Sequence, residues 1–344
     1  MANLITIGPD VESQPLNDNF AALNDDIVNV PHALYRNAII NGGFDVWQRG
    51  TTFTATSGYA ADRWYYNNGG GSGTVSRQSF PPGQTEVPGN PAYFIRISRT
   101  APAISGNTVL GTNIEDVRTL AGQRVTLSFW ARVSSGTKQI TTRVQQNFGT
   151  GGSSSVEAPG ETHTITTTWT RYVHTFDMPS IAGKTIGTNS RVFVRFLEEG
   201  LFTAFTLDIW GVQLHVGDVA LPFQPRPYAL EELLCQRYCQ VRGGNSLAET
   251  IGVGYVSTTN SATIHIPLPT RGRTTPTIIP IGNIIVSSSG VFEVATSLTV
   301  DTLRSSPYWV NMTATIGPDS LELGNVVTLR TQDENSKVIL DMEL

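Results

Sequence analysis

Arg124-Val125-Thr126-Leu127-Ser128-Phe129-Trp130-Ala131-Arg132-Val133 is the stretch whose reading decides the fold. Val125, Leu127, Phe129, Ala131 and Val133 alternate with Thr126, Ser128, Trp130 and Arg132, the two-residue period of a strand with one face in a core. Outward from it, Tyr93, Ile95 and Ile97 alternate with Phe94, Arg96 and Ser98, and Val192, Val194 and Phe196 alternate with Phe193 and Arg195. The run 205–214 is apolar on both faces in its second half, which predicts a central strand with a bulge near Gly211. Gly-, Ser- and Asn-rich stretches at 67–73, 81–91 and 149–155 separate these runs. Many short strands with such turns predict a β-sandwich or jelly roll over residues 37–225.

Composition agrees. Only 15% of the 344 residues are charged, against roughly 25% in ordinary soluble domains, and 33 Gly with 19 Pro favour turns and strands. The net charge of −5, with no basic run, offers nothing to nucleic acid. No apolar stretch approaches the ~20 residues of a membrane span, so no membrane insertion is expected. The opening Met1-Ala2-Asn3-Leu4 lacks a basic region followed by an apolar one, so no secretion signal is expected. Cys235 and Cys239 lie four apart in what reads as a helix, too far apart for an unstrained bridge, and His32, His163, His174, His215 and His265 have no ligand spacing. Both thiols are expected to be reduced and structural.

Residues 1–36 form a separate segment. Leu16, Phe20, Leu23, Ile27 and Val30 are spaced 4, 3, 4, 3, a heptad seam ended by Pro31. Two heptads are too short to stand alone, so the segment needs sister copies, a socket on a larger particle, or a face of its own chain. Downstream, Pro222-Phe223-Gln224-Pro225-Arg226-Pro227 reads as a stiff linker. Leu230, Leu233, Leu234, Tyr238 and Val241 then mark an apolar stripe at helical period over 228–241, stopped by Gly243-Gly244. Linker and helix together occupy 226–244. Residues 245–344 return to Ser- and Thr-rich strands, a small C-terminal β-sandwich.

No catalytic set is legible. Gly183-Lys184-Thr185 lacks the earlier glycine of a phosphate loop, and Glu198-Glu199 and Glu231-Glu232 are neighbours in sequence rather than facing pairs. The chain is therefore read as not an enzyme. What can bind is aromatic: Trp64, Tyr65, Tyr66 and Trp130, with Tyr308 and Trp309 in the last domain, are candidates to stack on sugar rings, each with a core role as its alternative.

Three stretches carry a resemblance. Asn41-Gly42-Gly43-Phe44-Asp45-Val46-Trp47-Gln48-Arg49-Gly50 with Ala61-Asp62-Arg63-Trp64 resembles the opening of galactose-binding-like jelly rolls in phage tail-fibre and prophage proteins. Trp210-Gly211-Val212-Gln213-Leu214, with Gly217 and Pro222-Phe223, resembles that domain's last strand. Arg226-Pro227-Tyr228, followed by Glu232-Leu233-Leu234-Cys235-Gln236-Arg237-Tyr238-Cys239-Gln240, is similar to a linker helix of the same fibres. Farther on, residues 266–271 and 275–277 resemble the strand that opens the tip domain. The resemblance departs at Cys239, where an aromatic is usual, and at Thr270, where Met is frequent.

Membership would imply a virion fibre or receptor-binding protein made in the bacterial cytoplasm. It would be a homotrimer, bound to other virion proteins through residues 1–36 and recognising host-surface glycan. The heptad positions would bury in a bundle, and Leu230, Leu233, Leu234 and Tyr238 would line a threefold axis. Some such jelly rolls hold a structural calcium, for which Asn41, Asp45 and Asp208 offer oxygens; no other cofactor is expected. A connector or head or collar fibre is the alternative, ahead of a polysaccharide depolymerase or a free carbohydrate-binding module.

Overall fold

The computed structural model describes residues 37–54, 56–69, 71–100, 108–198 and 203–344. Leu16, Phe20, Leu23, Ile27 and Val30 lie outside them. Residues 37–225 form two antiparallel sheets packed face to face. The first runs in the order Thr52–Phe53, Gly73–Ser79, Tyr93–Arg99, Phe205–Val216, Arg124–Val133, Thr170–Asp177. The second runs Glu161–Ile165, Lys138–Asn147, Arg191–Glu198, Thr108–Glu115, Trp64–Asn67, Ser57–Tyr59, with Val156–Glu157 added beside Lys138–Asn147. Between them Ile95, Ile97, Leu127, Phe129 and Ile209 meet Trp64, Leu110, Val192, Val194 and Phe196, all essentially sealed from solvent. Each such side chain contributes about 1.5–3 kcal/mol of burial. Among the described residues, no helix is long and apolar enough to cross a membrane.

The bulge falls where the apolar run predicts it. Register shifts between Trp210 and Gln213, and Gly211 sits at φ 64°, a conformation that suits glycine. Segment 37–46 closes the sandwich against this bulge: the Val212 N–H donates to the Gly42 carbonyl (2.9 Å), and the Asn37 Oδ1 accepts from the Ile39 and Leu214 N–H groups (both 3.0 Å). Asn41 is the hub. Its Oδ1 accepts from Asp45 N (2.9 Å) and Val46 N (3.1 Å), and its Nδ2 donates to the Val46 and Asp62 carbonyls (both 2.9 Å). The Trp64 indole donates to the Asn41 carbonyl (2.8 Å). The Asn-Gly-Gly-Phe and Ala-Asp-Arg-Trp stretches thus hold each other.

The helix is shorter than its stripe predicts, and the face it turns to the sandwich carries Glu231 rather than the leucines. It spans Tyr228–Gln236, and its buried residues are Glu231 and Cys235. Leu233 is exposed and Leu230 and Leu234 are half-buried. The cause is a polar partner: the Glu231 carboxylate accepts the Asn41 N–H (2.6 Å) and pairs with Arg226 (3.0 Å), so the acidic side faces the sandwich. The chain leaves the helix before Tyr238, which is buried beneath the Arg63 guanidinium (3.4 Å to the ring centre) and donates its hydroxyl to Glu115 (2.9 Å). Tyr238 therefore cannot line an axis between copies. Cys239 opens the strand Cys239–Gly243, so the reading of both cysteines on one helix fails. Both thiols are free and buried, and burial pushes both well above the usual thiol range.

Cys239–Gly243 pairs with Lys337–Asp341, which pairs with Thr277–Ile281, so the C-terminal unit begins at this strand rather than at 245. Its other sheet has seven strands, ordered Val291–Val294, Ile284–Ser288, Val326–Thr331, Thr250–Thr258, Ser261–Pro267, Trp309–Thr315, Ser297–Val300. Val256, Ile264, Ile266, Met312 and Leu329 are in its core. A buried polar seam joins this unit to the sandwich. Glu343 pairs with Arg63 and with Arg49 (3.5 Å), and Arg49 also reaches Asp341 (3.1 Å). Arg237 grips Glu115 through two bonds (2.9 and 2.8 Å).

Candidate functional site

Strand alternation sorts the aromatic candidates. Trp64 and Tyr66 point into the core, 0% and 1% exposed, and cannot stack on a ligand. Tyr65, between them, points outward and is half-buried. Trp130 packs on a second aromatic cluster of Phe80, Phe94, Trp169 and Trp210. Tyr308 and Trp309 are exposed on the C-terminal unit, where Arg271 lies 5.8 Å over the Tyr308 ring and the Trp309 indole donates to the Arg304 carbonyl (3.0 Å). The structure does not bring these six into one site.

The face that Tyr65 joins is the outer surface of the second sheet. Register aligns Arg143, Arg195, Gly111, Tyr65 and Tyr59 in one row, and Gln145, Phe193 and Asn113 in the next. Gly111 shapes the floor: a Cβ there would come within 2.6 Å of the Phe193 ring, so the ring lies down over the bare backbone. The Arg195 guanidinium sits 5.5 Å over that ring and is held by Glu157, which also accepts from the Gln145 amide (2.6 Å). Tyr59 meets Tyr65 edge-on at 5.6 Å. Beside this platform lies an open cleft of about 470 Å³ lined by Gln139, Thr141, Arg143, Glu157, Ala158, Gly160 and Thr162. Aromatic faces suit the apolar side of a sugar ring, while the amides, hydroxyls and guanidinium suit its hydroxyls. Among the described residues, Glu157 is the carboxylate that lines the cleft.

Phe193, Arg195, Gly111 and the Gln139–Gln145 face are not among the sequence candidates, which are aromatic by residue type. The signal was available: the alternation that put Val192, Val194 and Phe196 inside already put Phe193 and Arg195 outside.

Two of the three suggested calcium ligands, Asp208 and Asn41, already have other partners. Both Asp208 oxygens receive guanidinium donors, from Arg96 (2.7 and 2.8 Å) and Arg132 (3.0 Å), and the Asn41 Oδ1 already accepts two backbone N–H groups. Among the described residues, no group of three or more His, Cys, Asp or Glu could hold a metal.

Residues 86–191 match the family described as a carbohydrate binding domain. That span includes Gly111, Asn113, the Lys138–Asn147 strand and Glu157 of the outer face. No curated protein matches the chain. Similar solved structures include a xylan-binding domain from Paenibacillus barcinonensis (12% identity, covering 49% of this chain and 94% of that one, TM-score 0.32). Another is a putative sugar binding protein from Bacteroides thetaiotaomicron (15%, 53% and 100%, TM-score 0.34). A third is the N-terminal cellulose-binding domain of a Cellulomonas fimi β-1,4-glucanase (18%, 39% and 84%, TM-score 0.29).

Proposed function

We propose that the chain is a non-catalytic, glycan-recognising component of a phage virion fibre. The observation that carries glycan recognition is the outer face of the second sheet: Phe193 laid over Gly111, Tyr65 beside it, and a polar cleft alongside. The family match over 86–191 supports the same reading.

The fibre itself rests on the resemblance of the Asn41–Gly50, Trp210–Leu214 and Arg226–Gln240 stretches. A homotrimer is supported by the heptad positions of residues 1–36, which would attach to other virion proteins, and by the outward Leu230, Leu233 and Leu234. Three copies would convert weak single sites into avidity without new contacts. In this reading the protein resides in the virion, and Tyr308 and Trp309 offer a second exposed aromatic pair.

The test is a glycan array probed with the full chain and with Tyr65→Ala and Arg143→Ala, alongside the native mass. Binding that both substitutions weaken by about 3- to 10-fold supports the face as the site. A silent array would remove receptor recognition and leave the connector reading. Reducing ends released from host polysaccharide would overturn the non-catalytic one, and a monomeric mass would overturn the trimer.

A further inference from the structure

Another cavity, about 470 Å³, is built on the other sheet, where the bulge, the 88–93 loop and the proline linker meet. Its walls are the rings of Tyr93, Trp210, Phe223 and Tyr228, with Pro88, Pro91 and Pro225 between them. Trp210 and Phe223 pack at 5.1 Å and 64°, fixing one corner. Gly211 behind them leaves room: a Cβ there would sit 3.5 Å from the Phe223 ring.

One carboxylate faces this apolar space. Asp45 lines the cavity, and its own N–H is taken by Asn41, but its carboxylate accepts no hydrogen bond among the described residues. Arg226 also lines the cavity, yet its guanidinium is engaged elsewhere, by Glu231 (3.0 and 3.3 Å), the Ile39 carbonyl (3.0 Å) and the Asn37 carbonyl. The charged groups around Asp45 are therefore Glu231 from the helix and Arg226 from the linker, already paired, with the Tyr93 and Tyr228 hydroxyls as neutral neighbours. Burial first, then the Glu231 charge, raises the Asp45 carboxyl to about 6. An uncompensated carboxylate beneath several ring faces favours a cation whose body is partly apolar.

We propose that this cavity binds a protonated primary amine carried on a compact body, the chemistry shared by a glucosamine unit and a lysine side chain. The ammonium would donate to Asp45 while the carbon skeleton lies against Tyr93, Phe223 and Tyr228. This site stands apart from the outer face of the second sheet and does not depend on it.

The experiment is titration of the full chain with glucosamine, N-acetylglucosamine, Nα-acetyl-lysine amide and its Nε-acetylated form, followed by Trp fluorescence and calorimetry. The expected result is saturable binding of an amine and none of its acetylated counterpart. Glucosamine alone would assign an amino-sugar source and the lysine compound alone a protein source; either supports the amine class. Asp45→Asn should weaken binding at least about 10-fold. Tyr228→Ala, at an exposed position, should weaken it by about 3-fold through the lost ring face. Binding of the lysine compound, whose ammonium stays charged up to its pKa of ~10.4, should strengthen between pH 5 and 7 as Asp45 ionises. Equal affinity for the acetylated forms, no effect of Asp45→Asn in a folded variant, or no saturable amine binding overturns the proposal. Tyr65→Ala should leave amine binding unchanged, which separates this outcome from failure of the glycan face.

Discussion

Glu343→Gln tests whether the two β units stand or fall together. The side chain is 4% exposed and faces the guanidinium groups of Arg63 and Arg49, themselves 1% and 6% exposed. Removing one partner of a buried ion pair costs about 3–5 kcal/mol, mostly because the opposite charge is left stranded. Here the lower end applies. Arg63 would keep its stacking on Tyr238 and its bond to the Asn113 carbonyl, and Arg49 would keep Asp341 and Asp62. The expected loss is about 3 kcal/mol, which lowers Tm by about 6–12 °C at 2–4 °C per kcal/mol. Urea unfolding and calorimetry should register it, with Glu334→Gln on the exposed 332–335 turn staying within ~0.5 kcal/mol. Arg63→Met with Glu343→Leu should cost less than the sum of the two single changes, because the pair is then removed together. A Glu343→Gln loss below about 1 kcal/mol would refute the reasoning and mean that the seam is wetter than its burial implies.

Two further outcomes follow from the sandwich itself. Gly42→Ala should destabilise by about 2 kcal/mol or more, because its Cβ would overlap the Val212 carbonyl oxygen, a backbone atom pinned by the bulge; a thermal midpoint unchanged from wild type would contradict this. His174 is held down to about 4 by burial and by neighbouring His163, against an ordinary value near 6.5. The unfolded chain therefore takes the proton first, so the stability this residue contributes is complete above about pH 6.5 and is lost as pH falls towards 4. After allowance for solvent screening the loss is about 1–2 kcal/mol, and His174→Gln should flatten the urea midpoint between pH 7 and 4.5 relative to wild type.

The sandwich was legible because its signals are local. Alternation through 124–133 and 192–196, and the doubly apolar run ending at Gly211, each state which side of a strand meets a core. The helix was legible only as a helix. Its leucine stripe obeys the helical period, but period cannot say what lies opposite, and here the partner is the Asn41 N–H together with Arg226, which take Glu231. Tyr238 and Val241 continue the stripe at helical period, yet the strand Cys239–Gly243 is captured by Lys337–Asp341, about a hundred residues away, a contact no local pattern encodes. Among the aromatics, Trp64, Tyr65 and Tyr66 are adjacent in sequence, but a strand must split them, two inward and one outward. Asp45 shows only its oxygens in the sequence; its surroundings, four rings and no free cation among the lining residues, depend on three segments distant in sequence.

The seam and the outer face share atoms. Asn113, in the row beside Phe193, donates to the Leu344 carbonyl (3.4 Å), and its own carbonyl takes Arg63. Tyr59, which meets Tyr65 edge-on, donates its hydroxyl to the same Leu344 carbonyl (3.1 Å). Two edges of the aromatic row are therefore tied to Leu344, and the pairs of neighbouring Glu343 set where that residue lies. A groove whose rings must be held in place to bind gains from such second contacts, since ordering them beforehand lowers the entropy lost on binding. Glu343→Gln should then weaken glycan binding as well as stability, at temperatures where the chain is still folded. Tyr65→Ala, which removes a ring but none of the hydrogen bonds to Leu344 and none of the Glu343 pairs, should weaken binding while leaving the thermal midpoint of the C-terminal unit in place.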